Sequence, residues 1–198
     1  MRNFSNIICA TAAVAILLVL ASPARAQTAL QPAPLKRTID LSADYTYLHA
    51  NAPPGGCGCF SMNGGSASAA FGFTPSFSLA ADFGVTHASN ILNSTETLTL
   101  TTYLFGPRYT LRSHVGRVLP YGQVLLGGAH STSNFVFNSG GNGFSLLAGG
   151  GLDVPLSRHW GWRAVQMDYL LTRIPNGSTN SENNFRVTTG VVYRFDRR

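Results

Sequence analysis

The chain has 198 residues, with 14 Lys and Arg against 8 Asp and Glu, and this length suits one domain. Its positive charges are scattered along the chain, which excludes nucleic-acid binding as the main function. One lysine, two glutamates and 21 glycines form an unusual composition for the exterior of a soluble domain.

The N-terminus has the features of an export signal. Arg2 gives a positive start, residues 7–21 form an apolar run, and Ala24 and Ala26 supply the small-x-small pattern of a signal-peptidase site. The run is shorter than the roughly 20 residues of a membrane-spanning helix, although a retained anchor is the alternative. We predict a signal peptide at residues 1–26, an exposed Pro-rich leader at 27–37 and one domain at 38–198. After residue 26 the chain has twelve basic and eight acidic residues, a formal charge of +4.

From residue 38 onward, apolar and polar residues alternate. In Thr38–His49, one face carries Ile39, Leu41 and Tyr45 while the other carries polar residues, which indicates a strand with two unlike faces. Seven further segments repeat this alternation: 66–74, 77–86, 96–111, 119–130, 143–154, 160–171 and 184–195. The alternation in 96–111 loses its phase near Gly106-Pro107, where we expect a bulge. Segment 119–130 is the least regular.

The segments that connect these strands alternate between long and short. Those after strands 1, 3, 5 and 7 are long and rich in Asn, Ser and Gly, whereas the other three are mostly shorter. Long surface loops, short periplasmic turns and an even number of strands of about ten residues are typical of outer-membrane barrels. We therefore predict an all-β fold, an eight-stranded antiparallel up-and-down transmembrane β-barrel.

The polar strand face consists of small residues and isolated charges. An eight-stranded barrel is only wide enough for side chains to fill it, so this composition favours a polar interior and a lipid-facing apolar exterior. The predicted lumen charges are Asp44, Asp82, Asp168, Arg186 and Arg194. Buried charges must pair, and we expect Asp44 with Arg186 or Asp40 with Arg194, which would plug the lumen. The alternative is a soluble, lipocalin-like ligand-binding barrel with the faces reversed.

Several segments carry a family resemblance: "CGCFSMNGG", "YLFGPRYT", "PYGQVLLGGA", "QMDYLLTR" and the terminal "FRVTTGVVYRF". Over residues 38–195 the chain resembles small outer-membrane β-barrels of the OmpA/OmpX type, and an outer-membrane β-barrel domain family common in acidobacterial genomes. The last strand is similar to a C-terminal targeting strand ending in an aromatic residue, here Phe195, followed by three more residues. The resemblance implies location in the bacterial outer membrane, in contact with its lipid and lipopolysaccharide, and assembly by the barrel assembly machinery.

The stretch "PPGGCGCFSMNGG" contains the only two cysteines after the signal peptide, Cys57 and Cys59. In an exported protein they can form a disulfide, and Gly58 between them could supply the backbone angles that so small a ring needs. Two free or intermolecularly paired thiols are the second reading. A metal site with His49, His87 or His130 is the third, on a weak ligand pattern.

A catalytic site could be assembled on paper from His130, Ser131 or Ser133, and Glu182, but no sequence pattern connects them. We predict a structural or surface-interaction protein without catalysis, cofactor or metal, and a monomer that binds no nucleic acid. The first alternative function is a lipid-modifying outer-membrane barrel enzyme.

Overall fold

Eight antiparallel strands, each paired with its neighbours in chain order, close into a barrel. The computed structural model describes residues 38–50, 59–91, 95–111, 118–135, 138–175 and 181–196. The strands are β1 (Thr38–Ala50), β2 (Phe60–Gly72), β3 (Phe77–Ser89), β4 (Thr97–Thr110), β5 (Leu119–Phe135), β6 (Asn138–Pro155), β7 (Trp160–Arg173) and β8 (Glu182–Asp196). The predicted fold class and strand number are confirmed.

The two ends of the barrel differ in their connections. We call the end with residues 73–76 and 156–159 the short-turn end; β1 begins there and β8 ends there. The opposite end, with the connections β1–β2, β3–β4, β5–β6 and β7–β8, is the loop end.

The strands are longer than predicted, at 13 to 18 residues, and most of the extra length lies at the loop end. Asn63 and Ser61 pair with Tyr47 and His49 of β1, so β2 begins at Phe60 and includes residues 60–65 of the predicted first loop. Likewise, β5 ends at Phe135 and β6 begins at Asn138, where a long loop was expected. Asn, Ser and Gly disfavour strands in isolation, and here pairing with a neighbouring strand overrides that preference.

The irregularity that we expected near Gly106-Pro107 lies elsewhere. On both sides of these residues β4 keeps one register with β5, and its register with β3 is continuous, so the expected bulge is absent. The register instead shifts in β7, between Arg163 and Gln166 as paired with β8. A bulge adds one residue to one strand and reverses the alternation of its faces, so Arg163 and Gln166 both point inward.

Inward-facing residues are buried along every strand, whereas 25 large hydrophobic side chains in the described ranges are exposed, among them Tyr45, Phe83, Phe105 and Trp160. Such an apolar exterior suits lipid as the surrounding solvent and not water. Among the described residues, no helix is both long and apolar enough to cross a membrane.

Candidate functional site

The barrel interior contains a network of ion pairs, and Arg163 lies at one centre of it. Its Nη1 donates to Asp44 Oδ2 and its Nε to Asp153 Oδ1, each at 3.1 Å. Nη1 also donates to Ser42 Oγ at 3.0 Å, and this hydroxyl donates to Asp44 Oδ2 at 2.5 Å. Strands β1, β6 and β7 are therefore joined through one guanidinium.

Arg186 of β8 is the second centre. Its Nη1 lies 2.7 Å from Asp82 Oδ1, and its Nη2 lies 2.9 Å from Asp168 Oδ2. Gln166 Nε2 donates to the same Oδ2 at 2.6 Å. Asp82 is on β3, so this cluster spans the barrel from β3 to β7 and β8.

Tyr121 lies between the two clusters. Its hydroxyl donates to Gln166 Oε1 at 2.5 Å, while the guanidiniums of Arg108 and Arg163 lie 4.5 and 5.3 Å from its ring centroid. Arg108 also donates from Nε to Gln123 Oε1 at 2.9 Å. Contacts between a cation and a ring face are attractive, more so when water is excluded. The aromatic ring thus accommodates two buried cations.

At the short-turn end, Arg194 and Asp40 form the bidentate pair that we expected from the sequence. Nε and Nη2 of Arg194 each lie 2.7 Å from a different oxygen of Asp40. The other expected pair does not form, since Asp44 binds Arg163 while Arg186 binds Asp82 and Asp168. The register explains this difference, because Gly190 stands opposite Asp44 and Arg186 stands opposite Leu48, four residues further along β1.

Two of the aspartates face glycines on the neighbouring strand. Asp44 pairs with Gly190 and Asp168 with Gly149. A Cβ at residue 190 would lie 2.4 Å from Asp44 Oδ1, and one at residue 149 would lie 2.5 Å from Asp168 Oδ1. Neither oxygen has a hydrogen-bond partner in the described part of the chain. The glycines thus leave the space in which these carboxylates fit.

The interior also contains a cluster of buried apolar side chains, which we did not predict. Its buried side chains include Leu48, Met62, Leu100, Leu104, Leu125, Leu147, Leu170 and Ile174, all at most 6% exposed. We call these residues the apolar section and the residues around Arg163 and Arg186 the charged section; the two adjoin, since Arg186 stands opposite Leu48.

The alternation pattern missed several members of the charged section. Arg163 was missed because the bulge in β7 reverses the alternation of inward and outward residues there. The sequence contains one sign of this bulge. The large outward residues change from even numbers, Trp160 and Trp162, to odd ones, Val165 and Met167. Tyr121 and Arg108 were missed because their strands were judged irregular.

The histidines near the loop end lie on separate outward positions. His87 Nδ1 is 2.9 Å from Thr99 Oγ1, and His130 Nδ1 is 2.8 Å from Asn142 Oδ1. In the described ranges, no three His, Cys, Asp or Glu side chains are grouped closely enough to hold a metal ion. Cys59 is exposed, while Cys57 lies outside the described residues, so the disulfide stays a prediction.

The catalytic set considered from the sequence is not brought together. His130 points outward, whereas the next residue, Ser131, is buried in the interior and accepts a hydrogen bond from the backbone N–H of Gly141 at 3.2 Å. Glu182 Oε2 accepts a hydrogen bond from Thr172 Oγ1 at 3.0 Å. The sheet itself separates the imidazole from the serine hydroxyl.

Comparison with protein families gives one match that covers most of the chain. The family described as "Outer membrane protein beta-barrel domain" matches residues 12–195. The chain belongs to this family. Membership places the protein in the outer membrane of bacteria, with its apolar exterior in lipid, and overturns the soluble, lipocalin-like alternative. A search of curated proteins gives no match.

Solved structures of small outer-membrane barrels share the fold. The Neisserial surface protein A is 14% identical, with a TM-score of 0.61 over 79% of this chain and 97% of its own. OprG from Pseudomonas aeruginosa is 12% identical, with a TM-score of 0.54 over 82% and 97%. Ail, the attachment invasion locus protein of Yersinia pestis, is 14% identical, with a TM-score of 0.51 over 81% and 99%. At these identities the likeness extends to the fold alone.

Proposed function

We propose that this family member is a non-conducting, non-catalytic barrel with a structural or surface-interaction role. The observation that carries the proposal is the packing of its interior. Among the described residues, eight large apolar side chains are buried in the interior, and two arginines, each 2% exposed or less, bind four aspartates beside them. Ions that crossed would have to pass these closely packed side chains and lose their hydration, which is costly.

Conductance across a planar bilayer tests this proposal directly. We expect no stable channel from the wild-type protein, with a general porin in the same bilayer as the positive control. A variant with serine at Leu48, Leu125, Leu147 and Leu170 replaces four of the eight apolar side chains, and we expect it to conduct more than the wild-type protein. Stable openings of the folded wild-type protein would contradict the proposal.

We place the loop end on the cell surface, in line with the rule that long loops face outward in bacterial barrels. Cys59 is exposed beside β2 and provides the test. After mild reduction, a membrane-impermeant maleimide should label Cys59 on intact cells. Labelling that requires disruption of the outer membrane would reverse the orientation.

The surface role that fits this chain is recognition of neutral, polar partners. The loop-end connections 51–59, 90–96 and 174–181 are rich in Asn, Ser, Thr and Gly; together with 136–137 they contain one acidic residue, Glu96, and no Lys or Arg. One structure of Ail is a complex with the heparin analogue sucrose octasulfate. Without basic residues in these segments, we expect no binding of that polyanion to this protein.

Absence of catalysis is tested on the lipid itself. Because His130 and Ser131 lie on opposite faces of the sheet, we expect lipid A to keep its acylation when the protein is expressed. Loss or gain of an acyl chain in its mass spectrum would favour the lipid-modifying alternative.

We further propose cleavage after Ala26, assembly by the barrel assembly machinery, contact with lipopolysaccharide and a monomeric state.

A further inference from the structure

The bulge in β7 inserts one residue into the wall of the barrel. Arg163 stands opposite Gly190 of β8, and the next paired residue of β7, Gln166, stands opposite Thr188. Between these two pairs β7 has two residues, whereas β8 has only Thr189. The register between β6 and β7 shifts at the same level, so the extra residue is out of step with both neighbouring strands.

Thr189 lies opposite the bulge, on the outward face of β8. Its Oγ1 donates a shared hydrogen bond to the carbonyl oxygens of Arg163, at 2.9 Å, and of Ala164, at 3.3 Å. A bulge interrupts the ladder and leaves backbone groups of the longer strand without their usual partners. Water can satisfy such groups in a soluble sheet, but the hydrocarbon of a bilayer contains no water. The hydroxyl of Thr189 therefore supplies a donor that the lipid cannot.

The bulge decides on which face of the wall Arg163 lies. Gln166 points inward, and regular alternation back from it would place Ala164 inward and Arg163 outward, because a strand has a period of two. With the bulge, Arg163 points inward and reaches Asp44 of β1. Gly190 of β8 pairs with both residues and has no side chain to stand between them. An ion pair across three strands thus depends on the register of β7.

We propose that Thr189 is the positioning residue of the charged section: its hydroxyl, on the lipid-facing side of the wall, fixes the bulged register of β7 and so keeps Arg163 in the interior. Without the hydroxyl, the bulged register leaves two carbonyl groups in hydrocarbon without this donor, which is costly. The regular register avoids that cost but takes Arg163 away from Asp44 and Asp153. The inference goes beyond the proposed function, because the register of β7 can be tested whether or not the barrel conducts.

A double-mutant cycle of Thr189→Val and Arg163→Met tests this coupling between the wall and the interior. Valine has nearly the shape of threonine but no hydroxyl. The full-length mature protein is refolded in phosphatidylcholine vesicles, and the equilibrium constant of unfolding in urea is measured for the wild type, both single variants and the double variant. We expect Thr189→Val to raise this constant about tenfold in the wild-type background, as for one lost hydrogen bond. In the Arg163→Met background we expect little effect, because β7 is then free to adopt the regular register.

Two further variants control the cycle. Thr189→Ser keeps the hydroxyl and should stay close to the wild-type constant. Thr101→Val removes an outward hydroxyl from β4, at a level where β4 keeps its register with both neighbours, and should change the constant little.

An equal loss from Thr189→Val in both backgrounds overturns the proposal, since the hydroxyl would then act only as a local hydrogen bond. A loss of the same size in Thr189→Ser or in Thr101→Val also overturns it. If Thr189→Val does not refold, recovery of folding in the double variant supports the proposal, and continued failure contradicts it.

Discussion

Asp44 and Gly190 stand opposite each other where β1 and β8 close the barrel, and a Cβ at residue 190 would lie 2.4 Å from Asp44 Oδ1. The same Cβ would lie 2.3 Å from the carbonyl oxygen of Ala43. Both distances are far inside van der Waals contact, and one of the two atoms belongs to the backbone. The seam therefore depends on a glycine at this position.

We expect Gly190→Ala to lower the free energy of unfolding by about 3 kcal/mol, since the methyl group must displace either the backbone or the Asp44 carboxylate from Arg163. Urea unfolding in lipid vesicles measures the change. Gly122→Ala is the control, because its nearest neighbour, the carbonyl oxygen of Gly149, lies at an ordinary 3.8 Å. Equal stabilities of the two variants would contradict the role of Gly190.

The buried Arg186 and the partly exposed Arg194 should differ in their contribution to stability. Removing Arg186 leaves Asp82 and Asp168 buried without their cation, and we expect Arg186→Met to cost about 4 kcal/mol. Arg194 and Asp40 are each 20% exposed, so we expect about 1 kcal/mol from Arg194→Met. Similar losses in the same urea measurement would mean that water reaches both sites equally.

Leu125 and Leu126 test the apolar section, because they are adjacent on β5 and face opposite ways. Leu125 is fully buried in the interior, whereas Leu126 is 46% exposed on the lipid face. We expect Leu125→Ala to cost about 3 kcal/mol, since it leaves a cavity. Lipid chains can fill the space that Leu126→Ala leaves, so that change should cost roughly half as much. The reverse order in vesicle unfolding would contradict the assigned faces.

The sequence predicts well which residues share a face of a regular strand, but it predicts poorly which side chains meet across the barrel. In β1 the alternation puts Asp44 and Tyr45 on opposite faces, and the small residues and isolated charges of the polar face favour Asp44 inside. It cannot show that Asp44 meets Arg163, which is 119 residues away and faces inward only through a bulge in β7. The apolar section was missed for a related reason, since Leu48 and Leu125 follow the polar face of their strands and only the closed barrel brings them together.

The redox state of Cys57 and Cys59 can be predicted from the sequence and measured simply. We expect no titratable thiol in the unreduced mature protein under denaturing conditions. Outside the cytoplasm, where conditions are oxidising, the two residues would be joined in a disulfide. Reduction before denaturation provides the control and should reveal two thiols. Two thiols without reduction would remove the disulfide and leave the free-thiol reading.

Phe195 should matter more for assembly than for stability. It is the last outward aromatic residue of β8, where it pairs with Ile39 of β1 and packs against Tyr193. Because the strand resembles a C-terminal targeting signal, we expect Phe195→Ala to reduce the amount of folded, heat-modifiable protein in the outer membrane several-fold. Phe185→Ala is the matched control, since Phe185 is an outward residue of the same strand with nearly equal exposure, 48% against 45%. If both variants reach the outer membrane in equal amounts while their stabilities in vesicles are also equal, Phe195 has no special part in targeting.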